Sequence, residues 1–263
     1  MSLTRPHLAE VFRAAGLREA DSVIVHSAFR TLKPFDGTPE DVVHTIRDVI
    51  GGRGNVMLPT FNYTSNLPEP YFDAAVTPAC TGAVAERGRR LPGMMRSLHP
   101  THSVAVLGPE AEALTRDHLD TRAFGVGSPI DRLAGRGGKI LLLGVGFTAS
   151  STVHVAEEHA GLPKPPKGDP APRAKVRLPD GSIIEHEIDP SPSCSAAFEA
   201  AAYLLRSRGL VHDARANRCL VQLMCGQDVI EHVAAVIHED PTLLLCTNPH
   251  CQACTGTRKN LAT

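Results

Sequence analysis

The sequence predicts a single-domain α/β/α sandwich around a mixed, partly parallel sheet, spanning residues 1–263. Three observations carry this expectation. Short apolar runs alternate with stretches of helical spacing, which is the pattern of strands joined by crossover helices. Glycines and prolines fall where those runs should end. The texture then changes after Gly161, where a Pro- and Lys-rich stretch precedes a hairpin pattern.

Residues 5–17 read as a helix closed by Gly16, and Ser22-Val-Ile-Val-His-Ser27 as a strand. A second helix opens at Thr38, with Pro39 at its first position, Asp41 in its first turn, and Val42, Val43, Ile46, Val49 and Ile50 at helical spacing. Gly51-Gly52 stops it, and Asn55-Val-Met-Leu-Pro59 is the second strand. A short helix follows from Thr81 to about Arg89, then a strand from Ser103 to Leu107 and a helix from Glu110 to Arg116. Residues 139–145 form the fourth strand, and a helix begins after it, within Thr148-Ala-Ser-Ser-Thr-Val-His154-Val-Ala-Glu157-Glu158-His159. Ser150, Ser151 or Thr152 is expected to cap that helix, with a downstream Glu completing a capping box. Residues 162–173 read as a surface loop bordering the site. Ala174 to Ile188 has a hairpin pattern with an Asp180-Gly181 turn, and pairing it with the main sheet would make that sheet mixed. Cys194–Arg206 and Asp228–His238 are helical.

Apolar residues make up 42% and the formal charge is −1, so neither nucleic acid nor a membrane surface is an expected partner. No apolar run approaches the roughly 20 residues that span a bilayer, and no signal-peptide pattern opens the chain. A cytoplasmic protein acting as a monomer or homodimer is expected. Seven cysteines, an odd number, argue against a disulfide framework.

Four constellations carry chemistry. His26-Ser27 ends a buried strand, where α/β sheets bind ligands, and Ser27 and Arg30 are suited to a phosphate or a carbonyl. The stretch from Leu91 to Ser103 packs Arg96, Ser97, His99, His102, Pro92 and Pro100 into one connection, and Arg96 can grip phosphate oxygens in pairs. Gly125-Val-Gly127-Ser128-Pro129 is a tight turn, without the Lys of a Walker loop. His154 and Glu157 lie one turn apart on one helix face, an arrangement suited to moving a proton. Each has a plainer reading as a solvated loop or a packed helix.

Cys246-Thr-Asn-Pro-His-Cys251-Gln-Ala-Cys254 is a Cys-x4-Cys-x2-Cys cluster beside a run, Thr242–Cys246, that reads as a strand. Three soft ligands suit tetrahedral zinc, which needs a fourth. Cys194 is preferred; His250, Cys219 and Cys225 are the alternatives. Four protein ligands would make the site structural. Free or redox-active cysteines are the competing reading.

Taken together and in order, the motifs resemble those of the aminoglycoside 3-N-acetyltransferases. They are Val25-His26-Ser27-Ala28-Phe29-Arg30, Met57-Leu58-Pro59-Thr60-Phe61, Thr77-Pro78 through Thr81-Gly82, Arg96-Ser97-Leu98-His99-Pro100, Gly127-Ser128-Pro129, Leu141-Leu142-Leu143-Gly144-Val145 and Thr152-Val153-His154-Val155-Ala156-Glu157. The resemblance implies acetyl-CoA as cosubstrate and an aminoglycoside as acceptor. It implies coenzyme A contacts from His26, Ser27, Arg30, Pro59, Thr60, Arg96, Ser97, His99 and Ser128. His154 would be the base, oriented by Glu157. Glu158, Asp169 and Tyr63 would border the acceptor, whose polycationic character calls for acidic neighbours such as Glu185 and Glu187. Ala28 departs from the family's usual Ser. Another small-molecule amine as acceptor, or a coenzyme A-binding protein that has lost catalysis, remain the alternatives.

Overall fold

Alternation along two buried strands sets the architecture. Val23 and Val25 turn to one side of the sheet and Ile24 to the other; Leu141 and Leu143 likewise oppose Ile140 and Leu142. Strands buried on both faces are the mark of a sheet covered by helices on either side. The computed structural model describes residues 2–62, 67–163, 171–188 and 194–262. Tyr63 and Asp169, with part of the expected 162–173 loop, lie outside the described residues.

In chain order the elements are α1 (Arg5–Ala15), β1 (Ser22–Ser27), α2 (Pro39–Ile50), β2 (Asn55–Pro59), β3 (Tyr71–Asp73), α3 (Ala83–Gly88), β4 (Met95–Arg96), β5 (Val104–Leu107), α4 (Ala111–Thr115), α5 (Pro129–Gly135) and β6 (Lys139–Leu143). They continue with α6 (Ser151–His159), β7 (Arg173–Arg177), β8 (Ile183–Glu187), α7 (Glu199–Ser207), β9 (His212–Ala216), β10 (Cys219–Cys225), α8 (Gly226–Glu239) and α9 (Gln252–Leu261). The main sheet has the order β4-β5-β2-β1-β6-β10-β9. Its centre, β2-β1-β6, is parallel, and the strands outside it are antiparallel. Helices α1, α2 and α3 cover the Val23 face through Phe12, Ile46 and Val84. Helices α4 to α8 cover the Ile24 face through Leu114, Leu133, Val155, Leu205 and Val233. Thr38 caps α2 in a reciprocal box with Asp41, which fixes where that helix starts.

Two expectations are corrected, and the expected mixed sheet arises in another way. The Ala174–Ile188 hairpin does not join the main sheet: β7 and β8 form a separate three-stranded sheet with β3. The main sheet is mixed because β5 and β10 run against their neighbours. Thr242–Cys246 is a succession of turns rather than a strand, with Leu244 and Leu245 buried against the Ile24-side core. Its leucines signal burial, which a short apolar run shares with a strand.

The order β2-β1-β6 has a functional consequence. The chain leaves β1 toward β2 on one side and places β6 on the other, so the carboxyl ends of the three strands diverge around a crevice. Such reversals are where open α/β sheets take ligands. Gly144 makes the turn out of β6 toward α6. It sits at φ +68°, and a Cβ there would overlap the side chain of Thr31. Gly144→Ala is therefore expected to destabilise the fold by about 2 kcal/mol or more. Thermal unfolding should report this as a Tm lowered by about 5 °C or more.

Candidate active site

Helix α6 starts at the mouth of the crevice. Ser150 is its N-cap by backbone conformation, but its hydroxyl makes no capping bond. The expected capping box is absent because the residues three beyond Ser150, Ser151 and Thr152 are Val153, His154 and Val155. The nearest carboxylate on the inner face, Glu157, is engaged elsewhere: its Oε2 lies 2.8 Å from His154 Nδ1. Glu157 is fully buried and His154 is 8% exposed. Phe124 stacks on the imidazole at 5.2 Å and 22°, and Phe198 meets it edge-on at 4.7 Å. A hydrogen bond on one nitrogen and rings on two sides leave this imidazole little freedom to turn.

His154 opens onto a cavity of about 350 Å³ lined also by His26, Ser27, Pro59, Thr81, His102 and Ser150. Phe61, Phe124, Val145, Ser151 and Ser195 complete much of the wall. The first strand places His26 on the same side as Ile24, so its ring faces α6. Two buried polar atoms on this wall, His26 Nε2 and Ser150 Oγ, have no hydrogen-bond partner within the described residues. Thr152 Oγ1, at the start of α6, is unpartnered as well. Buried polar atoms are ordinarily satisfied, so orphans on a cavity wall point to a ligand or to water. Burial lowers the pKa of His26 to about 4 and that of His102 to about 3, so both rings are neutral near pH 7.

Of the residues expected on coenzyme A, His26, Ser27 and Pro59 line the cavity. Arg30 is exposed on a 3-10 turn, Phe29–Leu32, outside that lining. Arg96 turns inward: its Nε donates to Thr60 Oγ1 and Ser103 Oγ, and its terminal nitrogens to the carbonyls of Ala74, Thr77 and Thr60. Its guanidinium therefore ties loops together and is not free to grip a phosphate. Thr60 donates to the Ser103 carbonyl at 2.9 Å. Ser97 bonds His118 Nδ1 at 2.8 Å and accepts the Val104 N–H. His99 Nδ1 accepts the His102 N–H at 2.9 Å, and Ser128 caps α5. These four hold the loops that carry His102 and Phe124. Glu158 pairs with Arg122 at 3.5 Å and lies outside the lining. Glu185 and Glu187 lie on β8 in the small sheet, where Glu185 meets Arg173 at 3.4 Å.

Phe124, Phe198 and Ser195 carry no signal in the sequence, whereas His102 belongs to the Leu91–Ser103 connection that the sequence marks. Only the packing of the segment before α7 brings Phe198 to the imidazole and Ser195 to the cavity wall.

The thiols of Cys194, Cys246, Cys251 and Cys254 gather within 4.8 Å of one another. No disulfide joins them. Cys219 is buried under the opposite face of the sheet, and Cys225 ends β10. Arg258 fastens the segment by donating to the carbonyls of Leu245 and Cys246.

Residues 24–238 match the family model described as Aminoglycoside 3-N-acetyltransferase. An aminoglycoside N(3)-acetyltransferase IV from Salmonella is 29% identical, over 88% of this chain and 85% of that protein. An aminoglycoside N(3)-acetyltransferase VII from Streptomyces paromomycinus is 30% identical, over 90% and 92%. A crystal structure of a variant of aminoglycoside acetyltransferase AAC(3)-IVa in complex with a gentamicin superposes with a TM-score of 0.87 at 26% identity, covering 98% of each chain.

The buried histidines make stability depend on pH. Burial holds His26 at about 4 and His102 and His118 at about 3, whereas the unfolded chain protonates them near 6.5. Between those values the unfolded state binds more protons, so stability is intact above about pH 6.5 and falls as the pH drops toward 4 and 3. Each group contributes up to about 1.4 kcal/mol per pH unit. Melting curves at pH 7.5 and 5.5 are expected to show a lower Tm at the acid value.

Proposed function

This chain belongs to the aminoglycoside 3-N-acetyltransferase family, and from that membership we propose that it moves an acetyl group from acetyl-CoA to the 3-amino group of a 2-deoxystreptamine aminoglycoside. Such an enzyme confers resistance to its acceptor. The observation that carries the chemistry is the 2.8 Å contact of His154 with buried Glu157 at the wall of the cavity.

An ammonium group cannot attack a thioester, so the acceptor nitrogen must lose a proton. With Nδ1–H donating to Glu157, the free pair of Nε2 faces the cavity. The carboxylate fixes that tautomer and stabilises the imidazolium formed when Nε2 takes the proton. The freed amine attacks the thioester carbonyl directly; as the C–S bond breaks, the imidazolium returns its proton to the departing sulfur, coenzyme A leaves as the thiol, and the acylated nitrogen releases its extra proton to solvent. As the carbonyl oxygen gains charge, Ser150 Oγ–H and His26 Nε2–H are the donors at hand. His26 suits this task because its burial keeps it neutral and unable to compete for the proton. A different small amine as acceptor uses the same chemistry, and the absence of a carboxylate among the described residues of the lining is the observation that favours it. We place the enzyme in the cytoplasm, where acetyl-CoA is made. Among the described residues no helix is long and apolar enough to cross a membrane.

We also propose that the four gathered cysteines hold a structural zinc ion. Four thiolates are a soft, tetrahedral donor set, and filling every position with protein leaves none for a catalytic water.

Thiol release from acetyl-CoA with a panel of aminoglycosides tests the activity; release with none of them, nor with other amines, defeats it. His154→Ala is expected to lower kcat by about 10²–10⁴-fold while the melting curve stays cooperative. Glu157→Gln should also lower kcat, by about tenfold or more, since the ring loses its ionised partner. Elemental analysis of protein purified without added metal should find about one zinc per chain.

A further inference from the structure

The cysteine cluster and the imidazole of His154 are joined by five consecutive residues, Cys194 to Phe198. Cys194 contributes its thiol to the cluster and caps the 3-10 turn Ser195–Ala197, its Sγ accepting the Ala196 N–H at 3.4 Å. Ser195 lines the cavity. Phe198, fully buried, places its ring edge-on to His154 at 4.7 Å. Glu199 Oε1 accepts the Phe147 N–H at 2.9 Å, at the head of the turn Phe147–Ala149 that supplies Thr148 and Ala149 to the cavity wall. At Gly146 a Cβ would overlap that same carboxylate oxygen, so the approach is close.

The other three thiols come from the turn and helix that end the chain, Cys246 to Cys254. No strand pairing holds the described residues 194–198, which lead into α7. They are held by the cluster at one end, by the burial of Phe198 in the Ile24-side core, and by α7 at the other. Four thiols bound to one ion would make the first of these rigid; four free thiols would leave it held by packing alone.

We propose that the tetracysteine site is a positioning device for catalysis: a metal ion on Cys194 fixes the 194–199 strap, and through Phe198 fixes the orientation of the His154 ring. Cys194 and Phe198 are then positioning residues, acting through His154. The Glu199 contact fixes the Thr148–Ala149 part of the wall by the same strap. Geometric demands at a proton-transferring nitrogen are strict, since a misplacement of about 1 Å can cost about 10²-fold in rate. The kinetic arm of this inference rests on the acetyl-transfer reading above; the spectroscopic arms do not.

The test compares the full chain, purified with zinc sulfate, with Cys194→Ser and Phe198→Leu. Expected in Cys194→Ser is loss of the bound zinc, a cooperative melting curve, and amide exchange across residues 195–206 faster by about tenfold or more. The His154 ring resonances should broaden or shift, and kcat should fall about tenfold with KM for acetyl-CoA held within about threefold. Phe198→Leu should keep the zinc and the slow exchange, yet reproduce the change at His154 and the fall in kcat. In the double variant the kcat losses should not multiply. Should Cys194→Ser fail to fold, Phe198→Leu and removal of zinc from the wild-type chain by a chelator decide the matter. Unchanged His154 resonances after zinc loss, or full kcat in Phe198→Leu, overturn the inference. A wild-type chain that acetylates no amine sinks the acetyl-transfer reading instead, and the exchange and resonance measurements still judge the strap.

Discussion

A carboxylate with no exposed surface is the feature around which this molecule is arranged. Glu157 sits on the inner face of α6, and a buried charge is costly unless a partner offsets it. The partner is His154, one turn earlier, and the bond between them takes one nitrogen of the imidazole out of play. The remaining nitrogen is thereby aimed, and the aim is held by Phe124 and Phe198. Had Glu157 faced solvent, the same helix would carry a mobile histidine with an ordinary surface ion pair, worth little.

Everything near this pair serves to keep it dry and fixed. The parallel strands β2, β1 and β6 end together beneath it, and Gly144 allows the chain to turn out of β6 into the segment that starts α6. Arg96 draws Thr60, Ala74 and Thr77 together, and Ser97 and His118 hold the neighbouring loop. His99, His102 and His118 are all buried with lowered pKa values, mainly because burial disfavours the charged ring. Of the buried histidines, His26 and His102 share the cavity with the carboxylate-bound His154 and stay neutral near pH 7. The same burial that quiets them makes the fold acid-sensitive.

The cysteine cluster extends this arrangement beyond the sheet. The chain ends in α9, packed on the Ile24-side core through Cys254, and the turns before it carry Cys246 and Cys251. Cys194 joins that terminal region to the wall of the cavity. Gathering Cys246, Cys251 and Cys254 with Cys194 brings α9 and the turns before it against the segment beside the imidazole.

Whatever depends on near neighbours could be read from the chain before any fold was known. Continuous apolar runs, Val23–Val25 and Ile140–Leu143, specified buried strands, and the three-residue spacing of His154 and Glu157 put them on one helix face whatever the tertiary setting. The spacing of Cys246, Cys251 and Cys254 marked three of the four gathered thiols. Folding in three dimensions settled what comes from afar. It set which sheet the 174–188 hairpin joined, turned Arg96 inward and brought Phe124 and Phe198 against the ring. Preference for Cys194 over Cys219 and Cys225 as the fourth thiol was a guess that packing alone could convert into proximity. Local spacing fixes directions within one turn or one strand. Contacts between distant segments depend on strand order and helix packing, which no short window of residues contains.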